Sequence, residues 1–301
     1  MVLPRKLLIT GASGFTGRHA CSLFCQKGYE VYGMIRRDEK LPEGVQPVVC
    51  DVTNAEEVEQ VIEAIVPDLL LHLAGQNDVK QSWQQPFRTF QSNSVSTLYL
   101  LEAVRNINPA CKTLIVGSML DAKSLVPNHP YGVSKHVQVE IARAYGQMFH
   151  LPIIIAKPSN LVGPNQRKGV CGWIANELSQ AESDKREVHL TLSSPLANRD
   201  FIDVRDAVNA YAMLFQKGLP NGTYEVGSGK ETSLQQVAEE FKRISHVPMT
   251  FTWESEVVDV QGIADPTALK QLGWIPTRTI ATSIEEMVEA LRGKRGASSH
   301  G

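Results

Sequence analysis

Tyr131-Gly-Val-Ser-Lys135 places a phenol and an ammonium four residues apart, which on a helix is one face and one turn. A lysine cation beside a tyrosine favours the phenolate, and a phenol tuned in this way can pass a proton to a carbonyl oxygen. Ser118 closes the apolar run KTLIVGS (112 to 118), and its hydroxyl is placed to hydrogen-bond the same oxygen. Near the start, Ile9-Thr-Gly-Ala-Ser-Gly-Phe-Thr-Gly17 spaces three glycines by three residues directly behind KLLI. A turn from strand into helix at that point presents backbone N–H groups and the positive end of a helix dipole to a phosphate. Gly11, Gly14, Phe15, Thr16 and Gly17 are therefore the expected cradle of a dinucleotide pyrophosphate. A flexible glycine turn and a surface Tyr-Lys pair are the plain alternatives, and the agreement of the three features argues against both.

Parallel strands and crossover helices must position these groups. Strand candidates are 6 to 10, 29 to 36, 45 to 49, 68 to 74, 112 to 118 and 151 to 158, with helical periodicity at 15 to 27, 54 to 65, 87 to 107 and 131 to 149. Several of these strands are apolar at nearly every position, as in a parallel sheet covered on both faces. The pattern predicts an α/β fold: a Rossmann-like, doubly wound parallel sheet with a smaller C-terminal substrate-binding lobe. Residues 1–160 form the expected dinucleotide domain, 161–292 the lobe with chain crossings between the two, and 293–301 a frayed tail. Within the lobe, helices are expected near 169 to 183, 204 to 217, 233 to 245 and 280 to 292.

The second strand ends at Arg36 and Arg37, about 20 residues past the glycines, where an acidic residue would hold a ribose diol and favour NAD. Two guanidinium groups suit a 2′-phosphate instead, so NADP(H) is the expected cofactor and NAD(H) the alternative. Asp51 and Val52 follow the third strand and can bracket the adenine. Leu73 and Ala74 end the fourth strand beside the cofactor.

A formal net charge of -2 and 21% charged residues give no positive field to gather nucleic acid or an anionic membrane. No apolar run is long enough to span a bilayer, and the N-terminal residues carry no secretory h-region, so a cytoplasmic location is expected. The five cysteines are odd in number and scattered, which predicts reduced buried thiols; the histidines show no ligand spacing, so no metal is expected.

Taken together, these motifs resemble the extended short-chain dehydrogenase/reductase family, in its branch acting on nucleotide-diphosphate sugars. The likeness runs through TGASGFTG, YGVSK, Lys157-Pro-Ser-Asn-Leu-Val-Gly-Pro164, Arg199-Asp-Phe-Ile-Asp-Val-Arg-Asp206, Tyr224-Glu-Val-Gly-Ser-Gly229 and Leu272-Gly-Trp-Ile-Pro276. It implies that Ser118, Tyr131 and Lys135 are catalytic and that Pro158 touches the cofactor. It also implies that Ser118, Asn160, Arg199 and Glu256 hold a nucleotide-sugar substrate, and that Asn93 matches an asparagine of the fourth helix. Arg205 and Asp206 have an alternative reading as a structural salt-bridge knot. Sugar dehydratases of the family carry an acidic pair just after the catalytic Ser or Thr, where this chain has Met119 and Leu120; the cysteine of fucose-pathway epimerase-reductases is also missing. The resemblance therefore implies NADPH-dependent reduction of the C4 keto group of a nucleotide-diphosphate 4-keto-6-deoxyhexose, GDP-4-keto-6-deoxymannose first, by a homodimer. An NAD-dependent nucleotide-sugar 4-epimerase and a non-catalytic dinucleotide-binding regulator are the alternatives.

Overall fold

The computed structural model describes residues 5–120, 129–260 and 262–298, with backbone only at 260 and 294–298. In chain order, β1 (Lys6–Thr10) passes through the glycine turn into α1 (Phe15–Gln26), followed by β2 (Glu30–Ile35), β3 (Val45–Val49), α2 (Ala55–Ile65) and β4 (Leu69–His72). Two short helices, α3 (Val79–Gln84) and α4 (Pro86–Phe90), lead through a π-helical turn (Gln91–Val95) into α5 (Ser96–Ile107). Next come β5 (Lys112–Val116), α6 (Pro130–Met148) and β6 (Ile153–Pro158). The remaining chain forms β7 (Asn160–Val162), α7 (Gly169–Asp184), β8 (Val188–Leu192), β9 (Ala197–Arg199), β10 (Phe201–Asp203), α8 (Val204–Lys217) and β11 (Thr223–Val226). It ends with β12 (Thr232–Ser233), α9 (Leu234–Ile244), β13 (Met249–Trp253), β14 (Asp259–Val260), α10 (Thr267–Gln271) and α11 (Ile280–Ser298).

These elements make two compact units. The first runs up to Pro158 and takes back Val208–Glu225 and Thr267–Trp274; the second holds Ser159–Ala207, Val226–Pro266 and the chain from Ile275. The first unit is the doubly wound, Rossmann-like fold: a seven-stranded sheet of order β11-β6-β5-β4-β1-β2-β3, with β1 to β6 paired parallel. Its order reverses beside β1, the switch point at which such sheets bind ligands. Leu7, Leu8, Ile9 and Leu69 to Leu71 are fully buried, which explains why those strands read as unbroken apolar runs. Helices α2 and α5 pack through Ile62, Leu100 and Val104 on Leu8, Met34 and Leu70, while Phe24 of α1 meets Phe215 of α8 edge-on.

The second unit is built from short strand pairs. Strands β8 and β13 run parallel, β7 pairs with β10, and β9 lies between β12 and β14. In β8 burial alternates, with Val188, Leu190 and Leu192 inside and His189 and Thr191 exposed. That inner row joins Ile174 and Leu178 of α7, Phe241 of α9 and Met287 and Val288 of α11 in one core. The buried Asp200 ties its loops together, accepting from Ser228 N (2.9 Å) and Oγ (2.7 Å), Gly229 N (3.1 Å) and Ala264 N (3.2 Å). Such a carboxylate is tolerated inside because several donors replace its water.

Two of the expected helices change. The helix expected over 87 to 107 is α4, a π-helical turn and α5, because the extra residue per turn at Gln91–Val95 sets Asn93 facing inward. Helix α11 continues to Ser298, past the end expected at 292. The lobe's strands, two to five residues long, are below what hydrophobic alternation reveals.

Candidate active site

The glycine turn has the geometry its spacing predicts. Gly11 has φ +67°, and a Cβ there would meet the Ala74 backbone at 2.9 Å; one on Gly17 would meet Ala12 Cα at 2.8 Å. Gly14 caps α1 without a side chain, so the first-turn amides of Phe15 and Thr16 remain for an anion. The cradle thus fits a pyrophosphate. Thr10 holds its far wall: its Oγ1 accepts from Leu73 N (3.1 Å) and Ala74 N (3.0 Å). Both hydrogen-bond acceptances leave the Thr10 proton for His72 Nδ1 (2.8 Å), so His72 carries its own proton on Nε2 and donates to Thr97 Oγ1 (3.0 Å). Full burial, and next the Lys135 charge, push the His72 pKa down to about 3, which keeps this imidazole neutral.

Ser118, Tyr131 and Lys135 are each 7% exposed, open enough to touch a ligand and otherwise shielded from water. Ser118 lies two residues beyond β5, and its Oγ accepts from Leu120 N (3.0 Å). Lys135 Nζ donates to Val116 O at the end of β5 (2.6 Å), which locks the ammonium beside the strand that delivers Ser118. Helix α6 begins at a histidine cap: His129 Nδ1 accepts from Gly132 N (2.8 Å), and its ring stacks on Tyr131 with 5.9 Å between centroids. Burial lowers the His129 pKa, consistent with an accepting Nδ1. From the π-helical turn, Asn93 Nδ2 donates to Ser134 Oγ (2.8 Å), and Ser134 Oγ donates to Tyr131 O (2.7 Å). Asn93 Oδ1 also accepts from Gln76 N (2.7 Å) and would meet any Cβ on Gly75 at 2.6 Å. The catalytic helix is thereby bonded to the loop that leaves β4.

Other expected contacts are less uniform. Val52 is buried, whereas Asp51 Oδ1 accepts from Thr53 N (2.9 Å) and Oγ1 (2.8 Å) and forms a turn. Pro158 is buried and its carbonyl accepts from Met119 N (3.0 Å). Arg36 and Arg37 are exposed at the end of β2. A cavity of about 460 Å³ beside them is lined by Arg18, Glu39 and Lys40. Arg18, which the sequence reading missed, donates from Nε to Ser13 O (3.1 Å) and from Nη1 to Lys40 O (2.9 Å), bridging the glycine turn to the loop after β2.

Within the second unit, Asn160 and Arg199 line one cavity of about 350 Å³, together with Trp173, Thr191, Ser193 and Glu254. Glu254 and Glu256 are both exposed, and of the two Glu254 lines it. Arg199 pairs with Asp259 through Nη2 (2.5 Å) and with the carbonyls of Asn198 (2.8 Å) and Asp259 (2.9 Å) through Nη1. Arg205 forks onto Asp203, and Asp206 accepts from Thr277 and Arg278, which makes these two residues structural anchors. All five cysteines are free; Cys21, Cys50, Cys111 and Cys171 are buried, and burial pushes their thiols up to about 12. Among the described residues no cluster of His, Cys, Asp and Glu could hold a metal ion, and no helix is long and apolar enough to cross a membrane.

Residues 7–227 match the NAD dependent epimerase/dehydratase family. The GDP-6-deoxy-D-mannose reductase of Pseudomonas aeruginosa is 26% identical over 95% of this chain and 97% of its own length. UDP-arabinose 4-epimerase 1 of Arabidopsis thaliana is 24% identical over 91% of this chain and 76% of its own. Among solved structures, RMD from Pseudomonas aeruginosa complexed with NADPH aligns with a TM-score of 0.82 at 23% identity, covering 97% of this chain and 99% of that one. The UDP-glucose 4-epimerase of Thermotoga maritima with UDP-glucose aligns with a TM-score of 0.83 at 22% identity, covering 96% and 99%. With its cradle, its Ser-Tyr-Lys set and its sheet order, the chain belongs to the NAD dependent epimerase/dehydratase family, the extended short-chain dehydrogenase/reductases, a family of nicotinamide-dinucleotide enzymes of nucleotide sugars.

Proposed function

We propose that the protein reduces the C4 keto group of a nucleotide-diphosphate 4-keto-6-deoxyhexose, GDP-4-keto-6-deoxymannose in the first instance, with NADPH as reductant. The observation that carries this reading is the composition of the site around Ser118. A buried Tyr131 and Lys135 supply proton chemistry at a carbonyl, while the two positions after Ser118 are the buried Met119 and the half-buried Leu120, which can neither abstract nor donate a proton. The site can thus serve hydride chemistry, and at the two positions after Ser118 it carries no acid-base pair of the kind that elimination of water demands.

Gly11 to Gly17, Leu73 and Ala74 hold the dinucleotide, which when bound supplies the hydride. Tyr131 gives its proton to the C4 oxygen, Lys135 stabilises the resulting phenolate, and Ser118 donates a hydrogen bond that orients the carbonyl. Asn93 and Ser134 fix the first turn of α6 so that the phenol stays in register. In the second unit, Asn160 and Arg199 bind the nucleotide-sugar phosphates. Arg36 and Arg37, joined by Arg18 and Lys40, would hold a 2′-phosphate when the cofactor is bound and so favour NADPH. A cytoplasmic homodimer is part of the same reading, to be checked by sedimentation of the purified protein.

The test is consumption of NADPH and of NADH with GDP-4-keto-6-deoxymannose and with dTDP-4-keto-6-deoxyglucose. The reading expects rapid oxidation of NADPH with the GDP sugar and slow oxidation with the other three pairings. Inactivity with both sugars contradicts it.

A further inference from the structure

We infer that the cavity of the second unit reads the base of its nucleotide, that the base is guanine, and that Glu254 is the residue that reads it. The inference rests on the nucleotide-sugar reading above and deepens it by naming the residue that selects the guanine base. Three features of the cavity point the same way. Trp173 of α7 lines it and keeps 40% of its surface exposed, and a large apolar ring in such a lining suits stacking on a base. Arg199, a cation among the lining residues, can serve a phosphate. Glu254, just past the end of β13, is held in place by its own backbone, since its N–H donates to Leu192 O (2.9 Å) and the next N–H, of Ser255, donates to Ser193 O (2.9 Å).

The Glu254 carboxylate has no hydrogen-bond or ion-pair partner among the described residues, and the lining arginine is already committed to Asp259. A carboxylate offers two acceptor oxygens side by side and no donor. Among the bases of common sugar nucleotides, guanine alone presents two adjacent donors, N1–H and the exocyclic N2–H₂, on one edge. Uracil and thymine flank a single N–H with two carbonyl oxygens, which a carboxylate repels. Adenine and cytosine set their amino group beside an acceptor nitrogen. A site that leaves an anionic acceptor pair open in a cavity therefore selects guanine and rejects the other four, in the way that polar sites reject ligands unable to pair with them. The hydroxyls of Thr191 and Ser193, which also line the cavity, leave room for further bonds to the base or ribose but do not discriminate, because each can donate or accept.

The experiment is calorimetric binding of GDP, UDP, dTDP and xanthosine diphosphate to the full chain and to Glu254→Gln and Trp173→Ala, with NADPH binding and thermal melting as controls on folding. Xanthine replaces the guanine amino group by a carbonyl, so it matches an amide where guanine matches a carboxylate. The expected result is GDP at least about tenfold tighter than UDP or dTDP. Glu254→Gln should weaken GDP by about 10- to 100-fold and strengthen xanthosine diphosphate, and Trp173→Ala should weaken all four alike. UDP or dTDP binding more tightly than GDP overturns the guanine assignment and leaves the nucleotide-sugar reading standing. An unchanged ratio of GDP to xanthosine diphosphate in Glu254→Gln overturns the role of Glu254. Failure of all four diphosphates to bind a folded, NADPH-binding protein overturns the nucleotide-sugar reading itself.

Discussion

The two units of this chain place functional groups by different means. In the first, strands β1, β4, β5 and β6 of the central sheet are buried along almost their whole length, and the proposed chemistry lies just beyond the C-terminal ends of three of them: the glycine turn after β1, the Leu73–Ala74 amides after β4, Ser118 after β5. In the second, the strands are short, and the cavity is lined from strand edges, one helix and the loop after β13. Parallel strands fix where their ends lie to within a residue, so function there follows from fold. Short edge strands fix far less, and loop bonds such as those to Asp200 do the placing.

That contrast can be broken by substitution. Tyr131→Phe in the first unit should lower kcat by about 10²- to 10⁴-fold while the Kd for NADPH, followed by fluorescence titration, stays within about twofold of the parent. Next in size is the pH response of His72. Its pKa is about 3 in the folded chain against 6.5 when free, so the unfolded chain binds the extra proton between those values and stability falls as pH drops below 6.5. Each pH unit in that window should remove at most about 1.4 kcal/mol, and His72→Gln should flatten the slope in denaturant titrations at a series of pH values.

In the second unit the effects move to binding. Arg199→Met should raise KM for the nucleotide sugar by about 10- to 100-fold and leave NADPH binding alone. Asp259→Asn should lower KM by a few-fold, about the worth of a partly exposed ion pair, because the carboxylate that now occupies Arg199 is removed. Cofactor choice in the first unit should change as well. Arg18→Ser, and separately the pair Arg36→Ser and Arg37→Ser, should each reduce the preference for NADPH over NADH by about tenfold, read as the ratio of kcat/KM values.

The same contrast explains what the sequence disclosed. The runs KLLIT and VQPVV became strands with the expected ends, because each is a short segment rich in apolar or β-branched residues with a glycine at one end, Gly11 after the first and Gly44 before the second. Gly11, Gly14 and Gly17 were legible because each has a backbone reason to lack a side chain or a cap. The π-helical turn was not legible: FQSNSVSTLYLL has ordinary helical periodicity, and the displacement of Asn93 arises from its bonds to Gln76 and Ser134, which are remote in sequence. Thr10, His72 and His129 were missed for the same reason, since each acts through partners that no local motif announces. Arg18 carried a weak signal, a cation directly after Gly17. Glu254, not the expected Glu256, lines the cavity, because the backbone bonds of Glu254 and Ser255 to the end of β8 set their register, which no local motif announces.

The most direct test of the central claim follows the hydrogen itself. The protein is mixed with GDP-4-keto-6-deoxymannose and NADPH deuterated at the nicotinamide C4, and the product is read by NMR alongside NADPH absorbance. The account predicts one deuterium at sugar C4 for each NADPH consumed, with Tyr131→Phe binding the cofactor and transferring almost none. No NADPH consumption and no deuterium in the sugar, together with interconversion of the two C4-hydroxy GDP-6-deoxyhexoses when these are offered without NADPH, would contradict reduction and establish an epimerase working on its own bound NAD.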